Sequence, residues 1–426
     1  MMRQLCNRMR WRLRGVAASV FVCLSIFLVY TVSHAGDWPQ ILGPSRTGMA
    51  TGEVLMSSWP KAGPELLWSR PVGQSNAGVA VQGDIGVVFH RLDNREVIEA
   101  IRVDSGEPLW NVSYPTSFVP SVGSEDGPLC VPTIDGQQVV TFGAQGILTC
   151  CNLVTGEQQW QRDTHKDFEA LPGYFGVGSS PLVLADRVVV NVGGHKTEAG
   201  IVAFSRESGE TLWHGTDERA SYAAPILTMI AGRPTVICIA RTRCLGLSPE
   251  DGEIHFDLPF GRMGPTVSAA LPVVLDDQLF LTASYSIGAV SARLSADGAE
   301  ELWRRRDSLA SQYTTPILHN GVLYAIDGRQ DGPPADLVCL DPKTGDRIWG
   351  ETSFGYATLI GAGGRLIAVK TDGELVLMNA DPEKFDPLSR HRVTSKILRA
   401  LPALASGRLY VRDTDTLYCL KVGGVE

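Results

Sequence analysis

Leu337–Trp349 reads LVCLDPKTGDRIW, and its parts are a strand, a tight turn and the opening of a second strand. Leu337 and Cys339 alternate with their neighbours in the period-two pattern of a half-buried strand. In Asp341-Pro342-Lys343-Thr344-Gly345-Asp346 the proline holds φ at about −65° and the glycine is free to take positive φ, which is turn chemistry. Trp349 then resumes the sheet.

The phrase recurs. Asp104–Trp110 is one copy, Asn152–Trp160 a second and Ser208–Trp213 a third. Asp251–Phe256 puts Phe in place of Trp, and Asp297–Trp303 carries one extra residue. The closing aromatics Trp68, Trp110, Trp160, Trp213, Phe256, Trp303 and Trp349 lie 42 to 53 residues apart. Strand-only units at that period predict a β-propeller. The inner hairpins give the count, because a Pro or small residue opens each inner strand and an aliphatic or aromatic residue follows eight positions later. These pairs are Ala80/Val88, Pro132/Val140, Pro181/Val189, Pro272/Phe280, Pro316/Tyr324, Leu359/Ile367 and Pro402/Tyr410, with a longer hairpin opened by Pro225. A strand-opening proline sacrifices no ladder hydrogen bond.

The expected fold is therefore all-β, an eight-bladed propeller of four-stranded antiparallel blades. The seventh blade lacks its Trp, with Asp381–Phe385 in its place, and the eighth runs out at Leu417–Val422. Glu65–Trp68 matches the second half of the phrase with no first half before it, so it is expected to complete the eighth blade and close the ring. The expected organisation is 1–35 as a leader or anchor, 36–63 as an irregular strap, and 64–426 as the propeller.

The chain has 426 residues, 44% hydrophobic and 20% charged, the balance of a packed globular protein. A formal charge of −8, with no basic run after Arg14, argues against nucleic acid as a partner. Arg3, Arg8, Arg10, Arg12 and Arg14 precede an apolar Val16–Val32, and Ser33-His34-Ala35 fits a cleavage site. Export to the periplasm or cell envelope is expected, with cleavage after Ala35 favoured and an uncleaved membrane anchor as the alternative. Seven cysteines follow this segment, an odd number mostly within apolar strand runs, which reads as buried free thiols.

The repeated phrase resembles that of quinoprotein-type, PQQ-like β-propellers, a superfamily that includes PQQ-dependent alcohol dehydrogenases and the non-catalytic outer-membrane assembly factor B. The Asp37-Trp38-Pro39-Gln40 stretch, with Gly43-Pro44, Arg46 and Gly48 after it, is similar to one in secreted PQQ-like propellers of planctomycete-type bacteria. The resemblance implies the fold and leaves two functions open: a binding scaffold without a cofactor, or an alcohol-oxidising enzyme with PQQ and calcium. The enzymes pack a vicinal disulfide on the quinone, so Cys150 and Cys151 are the cofactor-binding candidates under the second function. Against it, adjacent strand residues point to opposite faces. Also missing are an assignable catalytic aspartate, a C-x-x-C-H haem motif and the calcium-holding set; Asp327–Asp331 reads instead as an exposed turn.

No catalytic or metal-binding residue is assigned. Residues three positions before each strand opener are expected to ring one mouth of the channel: Ala77, Leu129, Gly178, Tyr222, Ala269, Tyr313, Tyr356 and Arg399. Tyr and Arg are enriched at binding hot spots, although tyrosine also fills tunnels structurally. Two long connections, Asn111–Val131 and Gln161–Ser180, rise beside the second and third blades and carry His165 and Tyr174. A lone loop histidine is ordinarily solvated. The expectation is a monomeric, non-catalytic scaffold binding a protein or polymer partner at Tyr222, Tyr313, Tyr356, Arg399, Tyr174 and His165.

Overall fold

The computed structural model describes residues 36–424, so the expected leader or anchor lies outside the described residues. Eight four-stranded antiparallel sheets follow one another around a ring as an eight-bladed propeller. Blade 1 spans 80–115, blade 2 133–163, blade 3 182–215, blade 4 226–259, blade 5 273–305, blade 6 317–351 and blade 7 357–392. Blade 8 takes three strands from 403–421 and its outermost strand, Glu65–Pro71, from the other end of the chain.

Because neighbouring blades pack face to face, the inner strands are buried on both sides. Asp336–Leu340 is buried from Leu337 through Leu340, a correction to the half-buried reading. Alternate residues feed alternate cores: Val140 packs toward blade 3 while Val139 packs toward blade 1.

The recurring phrase joins blades as well as turning the chain. The indoles of Trp68, Trp110, Trp160, Trp213, Trp303 and Trp349 donate to backbone carbonyls in the next blade's turn, those of Val103, Leu153, Arg206, Pro249, Lys343 and Asp381, at 2.7–3.1 Å. The turn glycine lies under the same ring. Gly156 has φ +75°, and a Cβ there would come within 2.7 Å of the Trp110 indole. Glycine is required twice over, by conformation and by the close approach.

Two details of the sequence reading are corrected. In blade 7, Asp381–Phe385 is the blade's own turn and the Trp position is Ser389, which faces Leu377 as Trp349 faces Cys339. The next blade is the one assembled from both ends of the chain, so no turn is there for an indole to staple; Trp59 of the strap instead donates its backbone N–H to the Ser389 hydroxyl at 2.9 Å. In the other blades the residue after the opener faces the later member, as Thr133 faces Val140; in blade 1 it is Ala80 that faces Val87, so the strand opener is Val79 and the mouth residue is Asn76 rather than Ala77.

The strap crosses the axis of the ring. Trp38 bridges to Val81 of blade 1 and Met49 to Gly361 of blade 7. Between them the buried Arg46 guanidinium donates to the carbonyls of Pro181 and Pro225, which open the inner strands of blades 3 and 4. Ile41 and Leu42 pack with Val131, Ala224 and Leu271 around it.

Candidate functional site

The mouth residues fall into two groups. Tyr313 and Tyr356 meet with ring centroids 4.6 Å apart and planes tilted by 52°, and the buried Tyr356 hydroxyl accepts the Tyr313 backbone N–H at 2.8 Å. The Tyr313 hydroxyl donates to Gln330 at 3.1 Å, and Arg399 Nε donates to the same oxygen at 2.9 Å. Arg399 also pairs with Glu125, which accepts from Asn76 at 2.7 Å. Burial alone would raise the Glu125 pKa, but the hydrogen bonds from Arg399 and Asn76 outweigh it and hold the carboxyl below its ordinary value. Glu125 sits on the loop 116–132, which this network latches across the mouth to blades 8, 1 and 6.

Asn76 and Gln330 were missed from sequence. Asn76 is found by counting outward from the Gly83-Asp84 turn, whose flanking pair Gln82 and Ile85 sets the register. Gln330 belongs to Asp327–Asp331, and this segment is not simply an exposed turn: Asp327 accepts the Ala310 backbone N–H at 2.7 Å and Gln330 is half-buried in the latch.

Tyr222 belongs to the second group. It is buried, its hydroxyl accepts the Phe175 N–H at 3.3 Å, its ring meets Phe175 edge-on at 5.8 Å, and the Arg241 guanidinium lies 5.5 Å from its centroid. These contacts pin the loop 164–181 above blades 3 and 4. The Tyr174 carbonyl in turn accepts from Ser121 N and Oγ at 3.0 and 3.3 Å, so the two long loops are joined to each other.

A cleft remains between them. One lobe of about 240 Å³ reaches down to blades 3 and 4, past Tyr222 and Arg241; a wider lobe of about 740 Å³ opens outward along Phe118 and Val119. Ser121, His165, Pro172 and Gly173 line both. Around the cleft four large apolar side chains face solvent: Val119 at 78% exposure, Met263 at 54%, Leu171 at 52% and Tyr174 at 37%. His165 is not solvated as expected. Its ring stands over Gly146, and burial, opposed by Asp163, lowers its pKa to about 4, leaving a neutral imidazole in the cleft wall.

Cys150 and Cys151 are both buried, reduced and directed apart. Cys150 enters the core between blades 2 and 3, and Cys151 the core between blades 1 and 2. Burial pushes their thiols up to about 12 and about 11. The pair does not fit a vicinal disulfide laid on a quinone. Among the described residues no three His, Cys, Asp or Glu side chains come together to hold a metal ion, and no helix is long and apolar enough to cross a membrane.

A family model described as outer membrane protein assembly factor BamB matches residues 50–173 and 94–351. The outer membrane protein assembly factor BamB of Yersinia pestis is 23% identical over 311 residues, which cover 67% of this chain and 71% of the relative. Among solved structures, BamB from Moraxella catarrhalis superposes with TM-score 0.61 at 18% identity, covering 84% of this chain and 99% of the other. A europium-containing methanol dehydrogenase superposes with TM-score 0.64 at 11% identity, covering 88% and 89%. At these identities the superpositions speak for the fold.

Proposed function

The chain belongs to the family described as outer membrane protein assembly factor BamB, and on that premise we propose that it is an exported propeller scaffold that holds a protein or polymer partner in the cell envelope. It does so by recognition, without a chemical step. The observation that carries this reading is the cleft between the two long loops, rimmed by Val119, Leu171, Tyr174 and Met263. Apolar side chains grouped around one depression gain from being covered, and aromatic residues at such a rim contribute most.

The mouth residues serve this surface by holding it in shape. Arg399, Tyr313 and Tyr356 latch the first loop through Glu125 and Gln330, while Tyr222 props the second; Tyr174 and His165 line the cleft itself. A surface fixed before binding loses little conformational entropy when the partner arrives. Export rests on the arginine-rich and apolar segment within 1–35. A quinone is not part of the proposal, because Cys150 and Cys151 face different cores.

The test is capture from the envelope fraction of the source cells by the tagged chain and by its Leu171→Asp/Met263→Asp variant. Both positions are more than half exposed, so the variant is expected to keep the parent's melting temperature while the captured partner is lost. Undiminished capture overturns the cleft as the site. Saturable PQQ binding in calcium, with dye reduction by an alcohol, overturns the non-catalytic reading.

A further inference from the structure

The inner lobe of the cleft has a chemistry of its own. Arg219 and Arg241 line it, and no Asp or Glu does, in a chain with a formal charge of −8. The nearby carboxylates are engaged elsewhere: Asp217 faces Arg243 and Glu218 accepts from Thr242. Arg241 is buried, donates to Thr266 O at 2.9 Å and lies against the Tyr222 ring, and it forms no ion pair with a carboxylate among the described residues. A buried guanidinium without a counter-ion calls for an anion. The third feature is Asn191, 1% exposed. The residue lines the lobe; its amide donates to Ile239 O at 3.0 Å, and its Oδ1, closed off from solvent, has no hydrogen-bond partner. A buried acceptor left single calls for a donor. Leu171, Val177, Val192 and Met263 give the lobe an apolar stretch of wall, beside the polar Ser121, His165 and Ser221.

We propose that this lobe takes the free carboxyl terminus of a partner polypeptide, a reading that rests on the scaffold function above and names what part of the partner is held. A chain end offers all three complements from a single Cα: a carboxylate for the two arginines, the last residue's N–H for the Asn191 side chain, whose Oδ1 turns toward the lobe to accept it, and its side chain for the apolar stretch of wall. An acidic sugar brings an anion and hydroxyl donors but leaves Val177, Val192 and Met263 without an apolar group to cover.

Fluorescence anisotropy of the full propeller with fluorescein-labelled Gly-Ser-Ala-Val-Leu, as free acid and as carboxamide, tests this. The free acid is expected to bind at least about tenfold more tightly, the difference one charge-assisted contact supplies. Arg219→Gln, at an exposed position, is expected to remove most of that preference and leave carboxamide binding unchanged. Equal binding of acid and carboxamide overturns the proposal, as does no saturable binding of the acid at millimolar peptide. Displacement of the peptide by glucuronate or PQQ at lower concentration than by its own unlabelled form reassigns the lobe to a small polar acid. If Leu171→Asp/Met263→Asp abolishes partner capture while acid and carboxamide bind alike, the scaffold stands and the chain-end reading alone falls.

Discussion

His90 is buried at the joint between blades 8 and 1, where its Nδ1 accepts the Gly73 backbone N–H at 2.6 Å. Its Nε2 has no hydrogen bond, and the nearby Glu99 carboxylate is taken by Arg70 at 2.8 Å. Burial, then the positive charges of Arg412 and Arg70, lowers its pKa to about 4. An unfolded histidine titrates at about 6.5, so between these values the unfolded chain binds protons that the folded one refuses. Stability is complete above about pH 6.5 and falls as the pH drops toward 4, with His165 titrating in the same window. Between pH 7 and 5 each histidine is expected to remove about 2 kcal/mol, read from urea unfolding midpoints. His90→Gln keeps an acceptor for Gly73 and removes the proton site, so its drop over that interval should be about half the parent's; an unchanged drop sinks the assignment. None of this was legible in sequence. His165 stands in a polar loop, and the glycine that covers it, Gly146, belongs to the hairpin of the preceding blade.

At the scale of the element, the turn phrase was legible because turn chemistry is local, while its target was not. Gly156 and its Asp/Asn/Ser counterparts announce a tight turn wherever they stand, but that the Trp of one blade staples the turn of the next is a contact between copies of the repeat. The consequence is measurable. Trp110→Phe keeps most of the ring and loses the 2.8 Å bond to Leu153 O, at a cost of about 1 kcal/mol. Gly156→Ala meets two penalties, the positive φ at about 1–2 kcal/mol and the collision with the indole. Gly321, at φ +81° in an open hairpin with nothing within 4 Å, meets only the first. Urea midpoints should therefore order the variants Gly156→Ala below Gly321→Ala, and the gap between them measures the staple. Equal costs at 156 and 321 exclude it. The same local logic explains the one-residue slip at Asn76. Hydrophobic residues on both faces of a doubly buried strand offer no alternation to fix the register, and the hairpin turn decides it instead.

The whole ring depends on one joint that is not covalent in chain order. Seven blades are continuous hairpins, whereas blade 8 pairs Glu65 with Lys421 and Pro71 with Thr416 across almost the full length of the chain. Such pairing is read from sequence only by noticing an orphan half-phrase at one end and a missing one at the other. Trp68 fastens this joint to the following blade: its indole donates to Val103 O at 3.1 Å, its ring lies 5.9 Å from Tyr410, and Gly106 sits beneath it. Trp110 makes the equivalent contacts with Leu153 and Gly156, but its strand is tethered at both ends by its own blade and the next. Trp68→Ala and Trp110→Ala thus delete the same chemistry, each at about 3 kcal/mol, with different consequences. Loosening Glu65–Pro71 bares the edge of Thr416–Lys421, leaving a row of unpaired N–H and C=O groups that a second chain can complete. Light scattering after gel filtration should find concentration-dependent association for Trp68→Ala and none for Trp110→Ala at matched stability. Association in both variants, or in neither, would mean that the blades resist opening equally around the ring and that the N-terminal strand is not its weakest seam.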